Sequence, residues 1–297
     1  MHVSSDPIIR RRVRLPSRGI ELNVVDWGGD GPLALLAHAN GFCADVLGVI
    51  AERLRARFHV IGYDARGHGD SDKPAPPEPY GWDQFALDLS ALAALLLDER
   101  GEKSVAFGVG HSFGGTCLMN ATAREPERFA RLALLDPVIV PPPADYPSAD
   151  PMLRGPQASA DIARKRTHVF ASRDALRERW REKRTFSDWD PRALEMYLAH
   201  GFRDRSDGQI ELKCPGAIEA AVYESGKSFD AWRDAARLTR PALLLHAGRG
   251  NFPRVLAERL VAGSPSIELR SLDEPHLMAM TRPDAIADDL LVWSATH

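Results

Sequence analysis

The sequence predicts an α/β fold, a mostly parallel sheet flanked by helices with a helical segment inserted into it. Two observations carry this. Short apolar segments closed by Gly, Asn or Asp alternate with helix-like segments through the first half of the chain, and again near its end. Between Asp136 and Pro241 that rhythm breaks. Strands buried on both faces and joined through helices make a parallel sheet covered on both sides.

In chain order, strands are expected at Leu22–Trp27, Leu33–Ala37, His59–Tyr63, Ser104–Val109 and Leu132–Asp136. Helices are expected at Val46–Ala56, Trp82–Glu99 and Phe113–Arg124. The long helix places Phe85, Leu89, Leu92, Leu96 and Leu97 on one face at near-helical spacing. The stretch Pro137–Pro156, rich in Pro, Ala, Ser and Asp, reads as an irregular loop. Helical patterns without intervening strands follow. One begins at Ser172 and Asp174 and runs to Arg184. Another has Asp190 as N-cap and Pro191 at the first helical position. The alternation resumes with a strand at Leu243–His246, a helix at Phe252–Val261, a strand at Ser266–Leu269 and a closing helix at Asp284–Trp293. This divides the chain into a core of residues 1–137 and 236–297 and a helical insertion of residues 138–235.

The 297 residues are 44% hydrophobic, 27% charged and 7% aromatic, an ordinary soluble composition. That excludes collagen-like, disordered and disulfide-scaffold classes. With 38 basic and 41 acidic residues the net charge is −3, which argues against a nucleic-acid partner. Cys43, Cys117 and Cys214 are odd in number, and no pair has metal-ligand spacing. No apolar segment follows the basic residues of Met1–Arg14, and no apolar run approaches the ~20 residues that cross a bilayer. A cytoplasmic protein with no membrane partner is expected. The absence of a His-Glu-x-x-His pattern leads us to expect no metal and activity insensitive to chelators.

The segment carrying most chemical information is Gly110-His-Ser112-Phe-Gly114. It is Gly-x-Ser-x-Gly between an apolar strand and a helix. A sharp strand-to-helix bend there would expose the Ser112 hydroxyl at the carboxyl end of the sheet. The first free N–H groups of the helix would then face developing negative charge. A dinucleotide fingerprint needs Gly-x-Gly-x-x-Gly. Gly108 and Gly110 fit, but Phe113 stands in the third position.

Together with Tyr63-Asp-Ala-Arg66-Gly67-His68-Gly69-Asp70-Ser71 and His38-Ala-Asn-Gly41-Phe42, this motif gives the chain a resemblance to the α/β-hydrolase family, as a serine-nucleophile member with a helical cap. The resemblance covers about two-thirds of the chain, and the insertion matches by position alone. It implies a mostly parallel, eight-stranded α/β-hydrolase sheet. It also implies an oxyanion hole made by the amides of Phe113 and Phe42, with Gly41 allowing close approach of the backbone. His276, after the last expected strand, occupies the position of the family's base. His111 and His246 read as structural.

The acid departs from the common pattern. The usual Gly-x-x-Asp turn is here Gly248-Arg-Gly-Asn251, so Asn251 stands at the alternative acid position. Asparagine can hold an imidazole but cannot stabilise its positive charge. In capped members the acid can instead end the strand beside the nucleophile's strand, which makes Asp136 the orienting acid. A carboxylate on a neighbouring strand lies ~5 Å away, within reach of the same ring. Asp64, Arg66 and His68 read as a local hydrogen-bonded cluster that serves the scaffold.

The expected function is a serine hydrolase that cleaves a small or medium carboxylic ester through an acyl-enzyme, without a cofactor. Its partner would be the small-molecule ester or a related acyl substrate, and the protein itself a monomer or homodimer. Carbon–carbon, thioester or amide hydrolysis and perhydrolysis use the same layout and stay open. Ser112 in place of a carboxylate argues against chemistry at a saturated carbon. A low-turnover ligand-binding or receptor member of the fold is the alternative of another class, and Asn251 motivates it.

Overall fold

Leu33-Ala-Leu-Leu-Ala37 is buried at every position, and its neighbours show how. Leu33, Leu35 and Ala37 join one hydrophobic core while Ala34 and Leu36 join another. Leu132/Leu134 and Ala133/Leu135 divide in the same way. Period-two alternation between two cores is what a sheet covered on both faces requires. The computed structural model describes residues 7–75, 80–140, 151–226 and 229–297, with only the backbone described at 151–156 and 184.

The elements are β1 (Ile9–Leu15), β2 (Ile20–Gly28), β3 (Leu33–Ala37), α1 (Gly48–Leu54), β4 (His59–Tyr63), α2 (Trp82–Arg100), β5 (Phe107–His111), α3 (Phe113–Arg124) and β6 (Leu132–Leu135). Next come α4 (Pro151–Lys165), β7 (Val169–Phe170), α5 (Arg173–Arg181), α6 (Arg184–Ser187), α7 (Pro191–His200), β8 (Phe202–Asp204), β9 (Ile210–Leu212), α8 (Gly216–Ser225) and α9 (Ala231–Arg237). The chain closes with β10 (Ala242–Ala247), α10 (Arg254–Ala262), β11 (Ile267–Leu272), α11 (Met278–Thr281) and α12 (Pro283–Thr296). The eight-stranded sheet runs β1-β2-β4-β3-β5-β6-β10-β11. Pairing is parallel from β4 to β11, and β2 is antiparallel to both of its neighbours.

Three features differ from the sequence reading. The edge strand β1 was not expected, because its arginines hide the alternation. Four of its first five residues are exposed or nearly so, and Arg11 and Arg12 pair with Glu99 and Asp72. Charge on an edge strand is a common guard against pairing with another chain. The insertion, read as purely helical, also holds a three-stranded antiparallel sheet, β7-β9-β8. Strands of two or three residues are too short to show periodicity. Finally, α4 begins at Pro151, inside the stretch read as loop, while residues 141–150 of that stretch lie outside the described residues. The expected cap at Asp190 is present, and Ser172, where the other helix was expected to begin, caps that helix too. Ser172 accepts from the Ala175 N–H and Asp190 from the Arg192 N–H.

The inserted elements are tied to the sheet side. The Trp82 indole on α2 donates to the Val222 carbonyl of α8 at 2.7 Å. Tyr197 of α7 packs on Phe42, their ring centroids 5.1 Å apart. Among the described residues no helix is long and apolar enough to cross a membrane.

Candidate active site

In a parallel sheet the loops at the carboxyl ends of the strands gather at one edge. Phe42 follows β3, Ser112 follows β5, Asp136 follows β6, Asn251 follows β10 and His276 follows β11. Strand order therefore brings these residues together before any side chain is considered.

Ser112 has φ 55° and ψ −123°, a backbone that a non-glycine residue seldom adopts. The bend demands glycine on either side. A Cβ on Gly110 would lie 2.5 Å from the Gly115 Cα, and one on Gly114 would lie 2.5 Å from the carbonyl oxygens of Ala37 and His38. The Ser112 N–H is held by the Leu135 carbonyl at 2.8 Å. Phe113 is the first residue of α3, so its N–H has no acceptor within the helix.

His276 Nε2 lies 2.9 Å from Ser112 Oγ, and His276 Nδ1 lies 2.5 Å from Asp136 Oδ2. Asp136 itself is 1% exposed. Its backbone donates to Leu245 O at 2.7 Å, and its second carboxylate oxygen accepts from the Ala247 N–H at 3.0 Å. The ring can serve Ser112 as a base only with its proton on Nδ1, and a carboxylate at Nδ1 favours that tautomer. Both ring nitrogens are thus engaged, which leaves none for Asn251. Asn251 instead lines the cavity next to the serine.

His111 was read as structural, and it turns toward the site. Its Nε2 meets the His276 carbonyl oxygen at 2.8 Å. Burial, with His276 nearby, pushes its pKa down to about 3. The ring is therefore neutral with Nε2–H donating, and it ties the main chain of His276 to the end of β5. His246 Nε2 similarly meets the Phe252 carbonyl oxygen at 2.8 Å.

The early loop is built on buried polar contacts. His38 Nδ1–H donates to Ala39 O at 2.7 Å, and Nε2 accepts from the Ala65 N–H at 3.0 Å. Asp64 accepts from the Ala44 N–H, the Asp70 N–H and the Asn23 amide, while Arg66 pairs with Asp88. His68 lies 3.0 Å from the Asn40 side chain, so this cluster supports the loop after β3. Phe42 N–H closes a turn onto Ala39 O at 3.3 Å, with Gly41 at φ 83° as a type II turn requires. The second expected oxyanion donor is thus engaged by a long bond within its own loop.

Ser112 and His276 open on a cavity of about 510 Å³. Phe42, Trp82, Phe113, Ile139, Phe252 and Leu277 make it largely apolar, and Asn40, Ser159, Tyr223 and Asn251 add polar points. Among the described residues, no group of three or more His, Cys, Asp or Glu could hold a metal ion. A serine hydroxyl bonded to an imidazole, beside the free N–H of Phe113 in a largely apolar cavity, is an arrangement that can attack a carbonyl carbon and hold the resulting charge.

The chain is 36% identical over 134 residues to a 2-(acetamidomethylene)succinate hydrolase of Mesorhizobium japonicum, 45% of each chain. It is 37% identical over 121 residues to Lipase LipV of Mycobacterium tuberculosis, covering 40% of this chain and 43% of that protein. The matches thus span less than half the length of these curated relatives. A crystal structure of E-2-(acetamidomethylene)succinate hydrolase superposes with a TM-score of 0.80 over 96% of this chain and 98% of that one, at 21% identity, which shows a shared fold. A model described as the alpha/beta hydrolase family matches residues 34–289, from β3 into the last helix. With most of its length inside that match, the chain belongs to the alpha/beta hydrolase family.

Proposed function

We propose that the chain is a serine hydrolase that cleaves a small or medium carboxylic ester through an acyl-enzyme. The observation that carries this is the unbroken relay Ser112–His276–Asp136, at 2.9 and 2.5 Å, opening on an apolar cavity. Ser112 Oγ attacks the ester carbonyl carbon and its proton passes to His276 Nε2. The carbonyl electron pair moves onto oxygen, where the N–H of Phe113 and then of Phe42 receive it. Collapse of this intermediate breaks the bond to the alcohol oxygen, which takes the proton from His276. Water then repeats the attack on the acyl group, again giving a proton to His276, and Ser112 is regenerated with release of the acid. Asp136 keeps the ring oriented and stabilises its charged form. Residues 138–235 act in this reading as a cap over the core of 1–137 and 236–297. Ile139, Ser159 and Tyr223 are its contribution to the cavity, and Tyr197 and Glu219 reach the loop that carries Phe42.

A fluorophosphonate probe tests the reading. Labelling at Ser112, lost in Ser112→Ala, together with turnover of an ester series, is the expected result. A folded protein whose Ser112 stays unlabelled would reject it in favour of a ligand-binding role. Amide hydrolysis is a second reading, favoured by the relative named for 2-(acetamidomethylene)succinate, whose name denotes an amide. An anilide in the same substrate series separates the two.

A further inference from the structure

Two residues of the inserted segment grip the loop that carries Phe42. Asn40 Nδ2 donates to the Glu219 carbonyl at 3.1 Å, and the Glu219 carboxylate fills the space beside Gly41, where an added Cβ would lie 2.7 Å from its Oε1. From the other element, α7, the Tyr197 hydroxyl donates to the Gly41 carbonyl oxygen at 3.4 Å. Tyr197 is 3% exposed, and burial pushes its phenol pKa up, so it stays a donor.

The Gly41 carbonyl and the Phe42 N–H belong to one peptide unit. That unit is planar and trans, so its C=O and N–H point in opposite directions. Whatever fixes the carbonyl fixes the amide. Gly41, at φ 83°, has no side chain to resist rotation of this unit. The bond of the amide to Ala39 O, at 3.3 Å, is long for an N–H donor, and the Tyr197 bond at 3.4 Å is likewise long for a hydroxyl, so the peptide is held from both ends by weak contacts. We propose that Tyr197 is a positioning residue which sets the direction of the Phe42 amide, and so the second oxyanion donor, from the opposite end of the same peptide. Through Tyr197, which does not line the cavity, the inserted segment thereby takes part in stabilising the tetrahedral intermediate. This rests on the reading of Ser112 as nucleophile.

Tyr197→Phe tests it, because the ring and its contact with Phe42 are kept. Turnover of an activated ester is expected to fall about 10–100-fold, part of the loss seen when a whole oxyanion donor is removed, with KM nearly unchanged. Affinity for a trifluoromethyl ketone, which forms a tetrahedral adduct, should fall in parallel with kcat/KM, while affinity for the product alcohol stays the same. Unchanged kcat and ketone affinity would overturn the proposal, as would equal losses for the ketone and the alcohol. Trp180→Phe perturbs the same aromatic cluster (Trp180 stacks on Tyr197 at 5.7 Å) without reaching Gly41. If it reproduces the Tyr197→Phe split, the role is packing and the inference fails. Ser112→Ala separates the two levels. Turnover surviving that change removes the nucleophile reading itself, whereas a dead Ser112→Ala beside an unaffected Tyr197→Phe removes only the present inference.

Discussion

Ser112 and Asp136 are the two non-glycine residues among those described with positive φ, 55° and 42°, and both side chains meet the imidazole of His276. Each ends one of two adjacent parallel strands, where His111 is paired with Leu135. Uncommon backbone at both positions is costly, and it persists only where the surrounding structure over-determines it. Here the Leu135 and Leu245 carbonyls hold the two amides.

Asp136→Asn preserves shape while removing the charge opposite His276. Turnover of an activated ester should fall by ~10⁴, the loss known for the comparable change in a serine protease triad. Steady-state kinetics read this directly, and near-wild-type turnover would reject Asp136 as the acid.

Asn251→Ala should leave turnover within about an order of magnitude of wild type. The ring nitrogen that an acid at 251 would hold is already taken by Asp136. Because Asn251 lines the cavity, any change should appear in KM, which the same kinetic series measures.

Gly114→Ala places a methyl 2.5 Å from two backbone carbonyl oxygens that cannot move independently of β3. Overpacking of this kind costs about 1–3 kcal/mol. Urea unfolding should show a lower midpoint at unchanged slope, and a midpoint equal to wild type would contradict the tightness of the bend.

Stability should decline in mild acid. His111 has a pKa of about 3 when folded and titrates near 6.5 when unfolded. Below about pH 6.5 the unfolded chain binds a proton that the folded chain refuses. Stability is thus full above that pH and falls toward pH 3, by up to about 1.4 kcal/mol per unit for this one group. His38 and His68, held low by burial, add slopes of the same sign. Denaturant midpoints at pH 7.5, 6 and 5 should show the decline. The decline should be shallower in His111→Gln, which keeps a donor for the His276 carbonyl. Identical slopes in the two proteins would exclude His111 as a source.

Much of this architecture is legible in the residues because burial on both faces leaves a strong mark. β3, β4 and β10 are nearly continuous apolar runs, and Gly110 and Gly114 announce a bend that only small residues permit. Asp136 could be picked out because Asn251 leaves the usual position without a charge. What escaped reading depends on contacts between distant segments. The bond from His111 to His276 spans 165 positions and that from Tyr197 to Gly41 spans 156, so no local pattern announces either. β1 was hidden by its arginines, and β7, β8 and β9 by their brevity.

The carboxylate opposite His276 is anchored at the end of β6 and braced by the Ala247 amide, so the turn from Gly248 to Pro253 supplies no partner to the ring nitrogens, and only Phe252 of that turn packs edge-on against the ring. Asn251 lines the cavity. That leaves position 251 as a point of the wall where side chains can vary. Substitutions at 251 can reshape the cavity while the contacts of His276 with Ser112 and Asp136 stay as they are, which makes this one position a natural starting place for redesigning selectivity.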